Sequence, residues 1–312
     1  MILPEGWEAF YKGVCDRTKA LTKSGIWNTD ASSMYAWLGN FSKDEHRYVA
    51  AHILDRLTFR TEKMTESAFR MYLSSVFREY CRSSLNKDQV GASVEEWLAI
   101  LRDPKYISTN RIRLCSVSKA GEHGESGSHM VRILTGDLFS EKYVFPVDTH
   151  PLNSIQGHII LIVDDFVGSG DQFLKFAAHH KLSEAAKKNR IIYAPSIAYY
   201  KGIQNFKKLS YPITITPLEV LTKKEQFFSH EKGAKFFGDD VNSEAEVLNV
   251  YAEMRKLTPN FMRPGTTQFW LGRDDASLCV GFQWGCPNQS LGMMWLEGDA
   301  NWQRLVRRRG SQ

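Results

Sequence analysis

The sequence predicts an α/β protein with a parallel, doubly wound sheet at its core, a helical N-terminal region and a mixed C-terminal region. Two observations lead to this prediction. Apolar residues recur at helical spacing over the first hundred residues, without the alternation of a half-buried strand. From about residue 108, short apolar runs alternate with amphipathic stretches, as in a parallel sheet. The three regions expected are residues 1–105, 106–222 and 223–312.

The N-terminal region is predicted to be helical because its apolar side chains lie three or four positions apart. The clearest run consists of Phe69, Tyr72, Leu73, Val76, Phe77 and Tyr80. We interpret this aromatic stripe as the buried face of a helix, because stripes at this spacing usually form a core.

The α/β core is predicted to contain four strands separated by helices. The runs that predict the strands are residues 112–117, 159–163, 191–198 and 211–216. Amphipathic stretches predict helices over about 171–188 and about 201–209. In the C-terminal region, Ser243 and Glu246 form the capping-box pattern that begins a helix, and residues 278–282 predict another strand.

The composition is that of a globular protein with a sizeable core. The chain has 312 residues, of which 43% are hydrophobic and 24% are charged. Its five cysteines are scattered without metal-site spacing, and no apolar run reaches the length of a membrane span. We therefore expect a cytoplasmic protein that does not contact a membrane. The net charge of +5 permits an anionic partner but does not require one.

The stretch from Ile159 to Phe173 holds the most informative pattern in the chain. Five apolar residues, four of them β-branched, predict a buried strand that leads directly to Asp164 and Asp165. A short loop with two glycines follows, and a helix is predicted to begin at Asp171. Such a loop directs backbone N–H groups and a helix dipole at one point, which suits a phosphate. The carboxyl end of a strand is also where α/β sheets bind ligands.

Three chemistries use an apolar strand that ends in two acids. A nucleotide-hydrolysing P-loop protein would also need a GxxxxGK[ST] motif upstream, and the sequence has none. In a dinucleotide-binding unit the glycines precede the acid, whereas here they follow it. The third pattern is an apolar strand, two acids and a loop of small residues. This pattern resembles the phosphoribosyl-pyrophosphate (PRPP) signature of type I phosphoribosyltransferases.

The resemblance implies a role for each residue of the motif. Asp164 and Asp165 would contact the ribose hydroxyls, with Asp164 orienting the sugar and Asp165 also binding Mg²⁺. The 5′-phosphate would be held by Gly168, Ser169, Gly170, Asp171 and Gln172. Two residues depart from the family pattern, which usually has a small hydroxyl residue at Gln172 and an uncharged or basic residue at Asp171. A carboxylate at this loop repels phosphate unless it turns away to cap the helix.

A second loop, residues 118–128, contains three glycines and three serines. It follows the first predicted strand, where type I phosphoribosyltransferases place their pyrophosphate loop. The resemblance implies that Ser118, Lys119 and Gly121 bind pyrophosphate. A solvated surface loop of the same composition stays open as an alternative.

The likeness extends to the helical N-terminal region and to the C-terminal segment from Cys286 to Leu305. Together these segments resemble a divergent bacterial group of phosphoribosyltransferase-like proteins found in anti-phage conflict systems, including effectors encoded beside retron reverse transcriptases. The resemblance implies a toxic effector that acts on PRPP or a nucleotide. In that group a reverse transcriptase and its branched RNA–DNA hybrid (msDNA) would keep the effector inactive. A helix-turn-helix protein would often accompany them.

Two other functions stay open. The fold could serve as a catalytically inactive module that senses a nucleotide, which the unusual Asp171 and Gln172 would suit. It could also act as a structural partner in a ribonucleoprotein and contact nucleic acid through its basic C-terminal tail. The tail arginines are Arg304, Arg307, Arg308 and Arg309. The alternative interpretation of these arginines is a solvated tail.

Overall fold

A computed structural model describes residues 1–27, 31–117, 125–229, 233–237 and 239–308. The chain groups into two compact units. One unit is Glu62–Leu221, and the other combines Met1–Thr61 with Thr222–Gln312. These two units do not coincide with the three regions expected from the sequence. The boundaries of those three regions stay a prediction.

The helices of the first third of the chain follow the apolar spacing of the sequence. They are α1 (Trp7–Lys23), α2 (Ala31–Leu38), α3 (Asp44–Asp55), α4 (Glu62–Tyr72), α5 (Arg78–Arg82), α6 (Lys87–Val90), α7 (Val94–Arg102) and α8 (Ile107–Asn110). A π-helical turn, Leu73–Phe77, joins α4 to α5, and Phe69, Tyr72 and Phe77 are buried. The rings of Phe69, Tyr72 and Phe77 are therefore core, as predicted, whereas Val76 of the same stripe is 51% exposed and Tyr80 is half-buried.

The strands and the later helices complete the fold. The strands are β1 (Thr58–Arg60), β2 (Ile112–Ser116), β3 (Ile159–Val167), β4 (Arg190–Tyr199), β5 (Thr214–Ile215), β6 (Glu219–Leu221) and β7 (Val280–Phe282). The later helices are α9 (Glu125–Asp137), α10 (Asp171–His179), α11 (Leu182–Ala185), α12 (Tyr200–Phe206) and α13 (Glu244–Glu253). Within the described ranges, no helix combines the length and apolarity needed to cross a bilayer.

The larger sheet lies in the unit Glu62–Leu221 and is entirely parallel. Its strands run in the order β2, β3, β4 and β5, and β6 pairs with the last residues of β4. Strand β3 is buried along its whole length. Helix α10 packs on the face formed by Ile160 and Ile162, while α9 packs against β2 and β3 with Met130 fully buried. The predicted α/β class and parallel sheet are confirmed.

Several boundaries differ from the prediction. The helix expected over about 171–188 is divided into α10 and α11, because Lys181 adopts a left-handed backbone with φ 49°. The fourth strand is reduced to two residues, with prolines nearby at 212 and 217.

The other compact unit contains a small sheet, in which β7 confirms the strand predicted over residues 278–282 and β1 was not predicted. Strand β1 pairs in parallel with β7, and Phe59 lies opposite Gly281. Three residues are too short a run to show periodicity. The capping box of α13 is confirmed, since Ser243 and Glu246 exchange hydrogen bonds with each other's backbone.

Candidate functional site

The acid pair lies inside β3 rather than at its end. The strand continues through both carboxyl groups to Val167, in register with β4. Asp164 is 3% exposed and Asp165 is fully buried. Two buried carboxyl groups side by side are costly unless polar partners surround them, so the partners of each acid define what it can do.

Asp164 is bound by groups of the protein itself. Its Oδ1 accepts the N–H of Asp165 at 2.9 Å, and its Oδ2 accepts the hydroxyl of Tyr193 at 2.8 Å. Tyr193 lies on β4 and stacks on Phe173 with ring centroids 3.9 Å apart. Burial raises the pKa of Tyr193 well above its usual value, so the hydroxyl stays protonated and donates. These bonds fix Asp164 within the core and orient the backbone of Asp165.

A histidine of α9 interacts electrostatically with Asp165 and also contacts a glutamate of α4. The Nε2 atom of His129 lies 3.0 Å from Oε1 of Glu62, and this contact is an ion pair only when the ring is protonated. Arg132 donates to Nδ1 of the same ring at 3.2 Å. Burial lowers the pKa of His129. Sequence reasoning missed both partners, because Glu62 and His129 are far apart along the chain.

The loop after β3 presents backbone donors at the start of α10. Gly170 is the N-cap residue and has φ +86°, and the hydroxyl oxygen of Ser169 accepts the N–H of Asp171 at 3.4 Å. In the part of the chain that the structure describes, the N–H groups of Gly168, Ser169, Gly170 and Gln172 have no acceptor. Four such donors at a helix N-terminus form a site suited to an anion.

The residues that depart from the family pattern also lie at this point. Asp171 is the first residue of α10, and both Asp171 and Gln172 are half-buried. A carboxylate in the first turn of a helix interacts favourably with the helix dipole. It also brings negative charge to the donors that would receive a phosphate.

The predicted pyrophosphate-loop residues Ser118, Lys119 and Gly121 lie outside the described residues. The strand before them is described. Strand β2 pairs with β3 up to Ser116 opposite Val163, and the N–H of Val117 donates to Val163 O at 3.1 Å. The chain therefore leaves β2 at the same edge of the sheet as the acid pair.

The residues present suit a magnesium ion that a diphosphate carries into the site. Among the described residues, no group of three or more His, Cys, Asp and Glu side chains could hold a metal by itself. Magnesium in phosphate-transfer sites commonly keeps several waters and binds one or two carboxylates together with substrate phosphates. Asp165 could supply such a carboxylate.

Two of the four arginines predicted to form a basic tail contact other residues of their own unit. Arg304 forms an ion pair with Glu297 at 2.9 Å, and the guanidinium of Arg308 lies 5.6 Å from the ring centre of Trp295. Arg307 is exposed, and Arg309 lies outside the described residues. These contacts give two of the tail arginines a structural role.

One comparison with known proteins identifies the family of the chain. A sequence model of the PRTase-CE family matches residues 34–308, which is most of the chain. The chain therefore belongs to the PRTase-CE family, a phosphoribosyltransferase-like family. No curated protein and no solved structure matches the chain.

Proposed function

We propose that this protein is a phosphoribosyltransferase-type effector of a bacterial anti-phage system, such as a retron, and acts on PRPP or a nucleotide. The observation that carries the proposal is the juxtaposition of a buried acid pair with four backbone N–H donors at one edge of a parallel sheet. Acids suit ribose hydroxyls and amides suit phosphate, so a ribose phosphate satisfies both groups.

The residues of the site would act mainly by holding the substrate. The amides of Gly168, Ser169, Gly170 and Gln172 bind the 5′-phosphate, and Asp165 accepts a ribose hydroxyl. With both ends of the sugar held, the anomeric carbon and its leaving group are kept in line for transfer. The bond between that carbon and the diphosphate or base breaks with its electron pair passing to the leaving group, and a nucleophile then bonds to the oxocarbenium-like carbon, whose positive charge lies near the acid pair.

The two acids divide this work. Asp164 keeps its hydrogen bonds to Tyr193 and to the backbone, and so sets the position of Asp165. Magnesium bound through Asp165 and the diphosphate would neutralise charge on the leaving group. In a retron, the proposed partners are a reverse transcriptase with its msDNA, which silence the effector, and a helix-turn-helix protein.

Turnover by purified protein tests the proposal. Wild type is incubated with Mg²⁺, PRPP and a panel of nucleotides, and products are identified by mass spectrometry. Asp165→Asn keeps the shape of the side chain and removes its charge, and we expect product formation to fall at least about a hundredfold. The matched control is Asp137→Asn, because Asp137 is exposed at the last position of α9.

Equal turnover by wild type and Asp165→Asn would contradict the proposed role of the acid. In the alternative function the protein senses a nucleotide without changing it, or binds nucleic acid in the reverse transcriptase–msDNA complex. The position of Asp171 at the phosphate donors favours the nucleotide-sensing form. Saturable binding of PRPP or a nucleotide, with no product in any reaction, would support that form over the transferase.

A further inference from the structure

Helix α12 packs against the loop Gly168–Gly170, which follows β3 and is here called the phosphate loop. One hydrogen bond and two close approaches join the helix to the loop. The side-chain amide of Asn205 donates from Nδ2 to Ser169 O at 2.9 Å. A Cβ on Gly202 would lie 2.6 Å from Gly168 O, so only a glycine permits this approach. A Cβ on Gly170 would lie 2.6 Å from the ring of Phe206. The loop is therefore packed closely on α12.

The bond from Asn205 determines where one of the loop donors points. In a trans peptide the C=O and the following N–H lie in one plane and point in opposite directions. Asn205 holds the carbonyl of Ser169 towards itself, so the N–H of Gly170 is directed away from Asn205. Without that bond, the peptide between Ser169 and Gly170 could rotate and remove the donor.

Asn205 is itself oriented by a second residue. Lys208 donates from Nζ to Asn205 Oδ1 at 3.1 Å. Because an ammonium group is only a donor, it selects the oxygen of the amide and leaves Nδ2 to face Ser169. Asn205 lies in the last turn of α12, and Lys208 lies two residues beyond the end of that helix.

We propose that Asn205, oriented by Lys208, is a positioning residue that directs the Gly170 N–H at the 5′-phosphate of the substrate. This inference rests on the proposed ribose-phosphate function and adds a residue more than thirty positions beyond the motif. Asn205 does not touch the substrate. It acts through the Ser169–Gly170 peptide, so its loss affects phosphorylated ligands selectively.

The test combines calorimetry with the backbone signal of Gly170. The test ligands are ribose 5-phosphate and PRPP with Mg²⁺. The control ligand is pyrophosphate with Mg²⁺, because the pyrophosphate part of PRPP does not contact this loop in the proposed site. Asn205→Asp replaces the donor with an acceptor that repels Ser169 O. We expect about tenfold weaker binding of ribose 5-phosphate and PRPP, with unchanged binding of pyrophosphate. Lys208→Met should have a smaller effect in the same direction.

Nuclear magnetic resonance reports on the donor itself. Labelling serine carbonyl carbons and glycine nitrogens selects the three Ser-Gly bonds of the chain, one of which is Ser169–Gly170. Ribose 5-phosphate should shift the Gly170 amide signal in wild type and leave it almost unchanged in Asn205→Asp. The control Asn301→Asp makes the same change at an exposed site and should behave as wild type.

The outcomes separate the two claims. If wild type binds no ribose phosphate, both the proposed function and this inference fail. If wild type binds ribose 5-phosphate and Asp165→Asn weakens that binding, but Asn205→Asp binds it as tightly as wild type, the inference alone is overturned. Equal weakening for pyrophosphate and ribose 5-phosphate in Asn205→Asp would also overturn it, since that result indicates a general loss of structure.

Discussion

The two compact units treat their buried polar groups differently. In the unit Glu62–Leu221, the buried carboxyl group of Asp164 accepts two hydrogen bonds, one from Tyr193 and one from the N–H of Asp165. In the other unit, His52 is 6% exposed and packs among the rings of Phe10, Tyr48 and Phe236, with centroids 4.4–4.8 Å away. No hydrogen-bond partner for its Nε2 lies among the described residues.

The difference between Asp164 and His52 distinguishes a polar group in a candidate ligand site from a polar group in a structural core. Polar groups that serve chemistry need partners that preserve their polarity, as Asp164 has on β3. A histidine surrounded by aromatic rings is stabilised only while it is neutral. We therefore expect changes around His52 to alter stability, and changes around the acid pair to alter both stability and ligand binding.

The largest expected effect on stability is the response of His52 to acid. Burial lowers its pKa from 6.5 to about 4. The unfolded chain thus binds a proton more readily than the folded one, and stability present above pH 6.5 is lost as the pH falls towards 4. The shift corresponds to about 3 kcal/mol at pH 4. Urea unfolding between pH 7 and pH 4 should show this loss in wild type and a smaller loss in His52→Gln.

An equal pH dependence in wild type and His52→Gln would show that other groups cause the acid response. Hydrogen exchange adds the location of the effect. Acid should release protection in α3, which carries His52, before it releases protection in β3.

The next effect concerns the support of Asp164. Tyr193→Phe removes the hydroxyl that donates to its Oδ2 and leaves that oxygen buried. We expect the free energy of unfolding to fall by about 1–3 kcal/mol. Ligand binding should weaken as well, because Asp164 orients Asp165. The control Tyr35→Phe removes a hydroxyl from a residue that is 45% exposed, and should change neither quantity.

If Tyr193→Phe lowered the free energy of unfolding and left ribose-phosphate binding unchanged, Asp164 would have a structural role and no role in ligand binding. The distinction between the two units would then be weaker than the contacts indicate.

The smallest effect should be the same in both units. Ser93 caps α7 in one unit and Ser243 caps α13 in the other, each with a glutamate that completes a capping box. Ser93→Ala and Ser243→Ala should each cost about 1 kcal/mol in urea unfolding. A large difference between the two variants would show that one helix is much more tightly coupled to its unit than the other.

The sequence revealed the parts of the site that are local in the chain. The acids, the loop and the start of α10 follow one another, so a single apolar run and two glycines were enough to predict them. Tyr193, Asn205, Glu62 and His129 were missed because they reach the site only through the fold. The available signal for Tyr193 was a phenol directly after two buried isoleucines, since a buried hydroxyl needs a partner.

Strand pairing between distant residues was also difficult to predict from the sequence. Strands β3 and β4 were predictable because buried parallel strands are continuous apolar runs, whereas β5 has only two residues and β6 was not predicted. The β1–β7 pair joins residues more than two hundred positions apart, and Thr58–Arg60 carries no pattern of its own. Lys181 likewise divides a predicted helix through a left-handed backbone that its residue type does not indicate.

Calorimetric titration of PRPP with Mg²⁺ into wild type and Asp165→Asn tests the central claim most directly. The claim is that β3 and its loop form a ribose-phosphate site, whether or not turnover follows. We predict one saturable site in wild type, at least about tenfold weaker in Asp165→Asn, and unchanged in Asp137→Asn. No binding by wild type, or equal binding by wild type and Asp165→Asn, would contradict it.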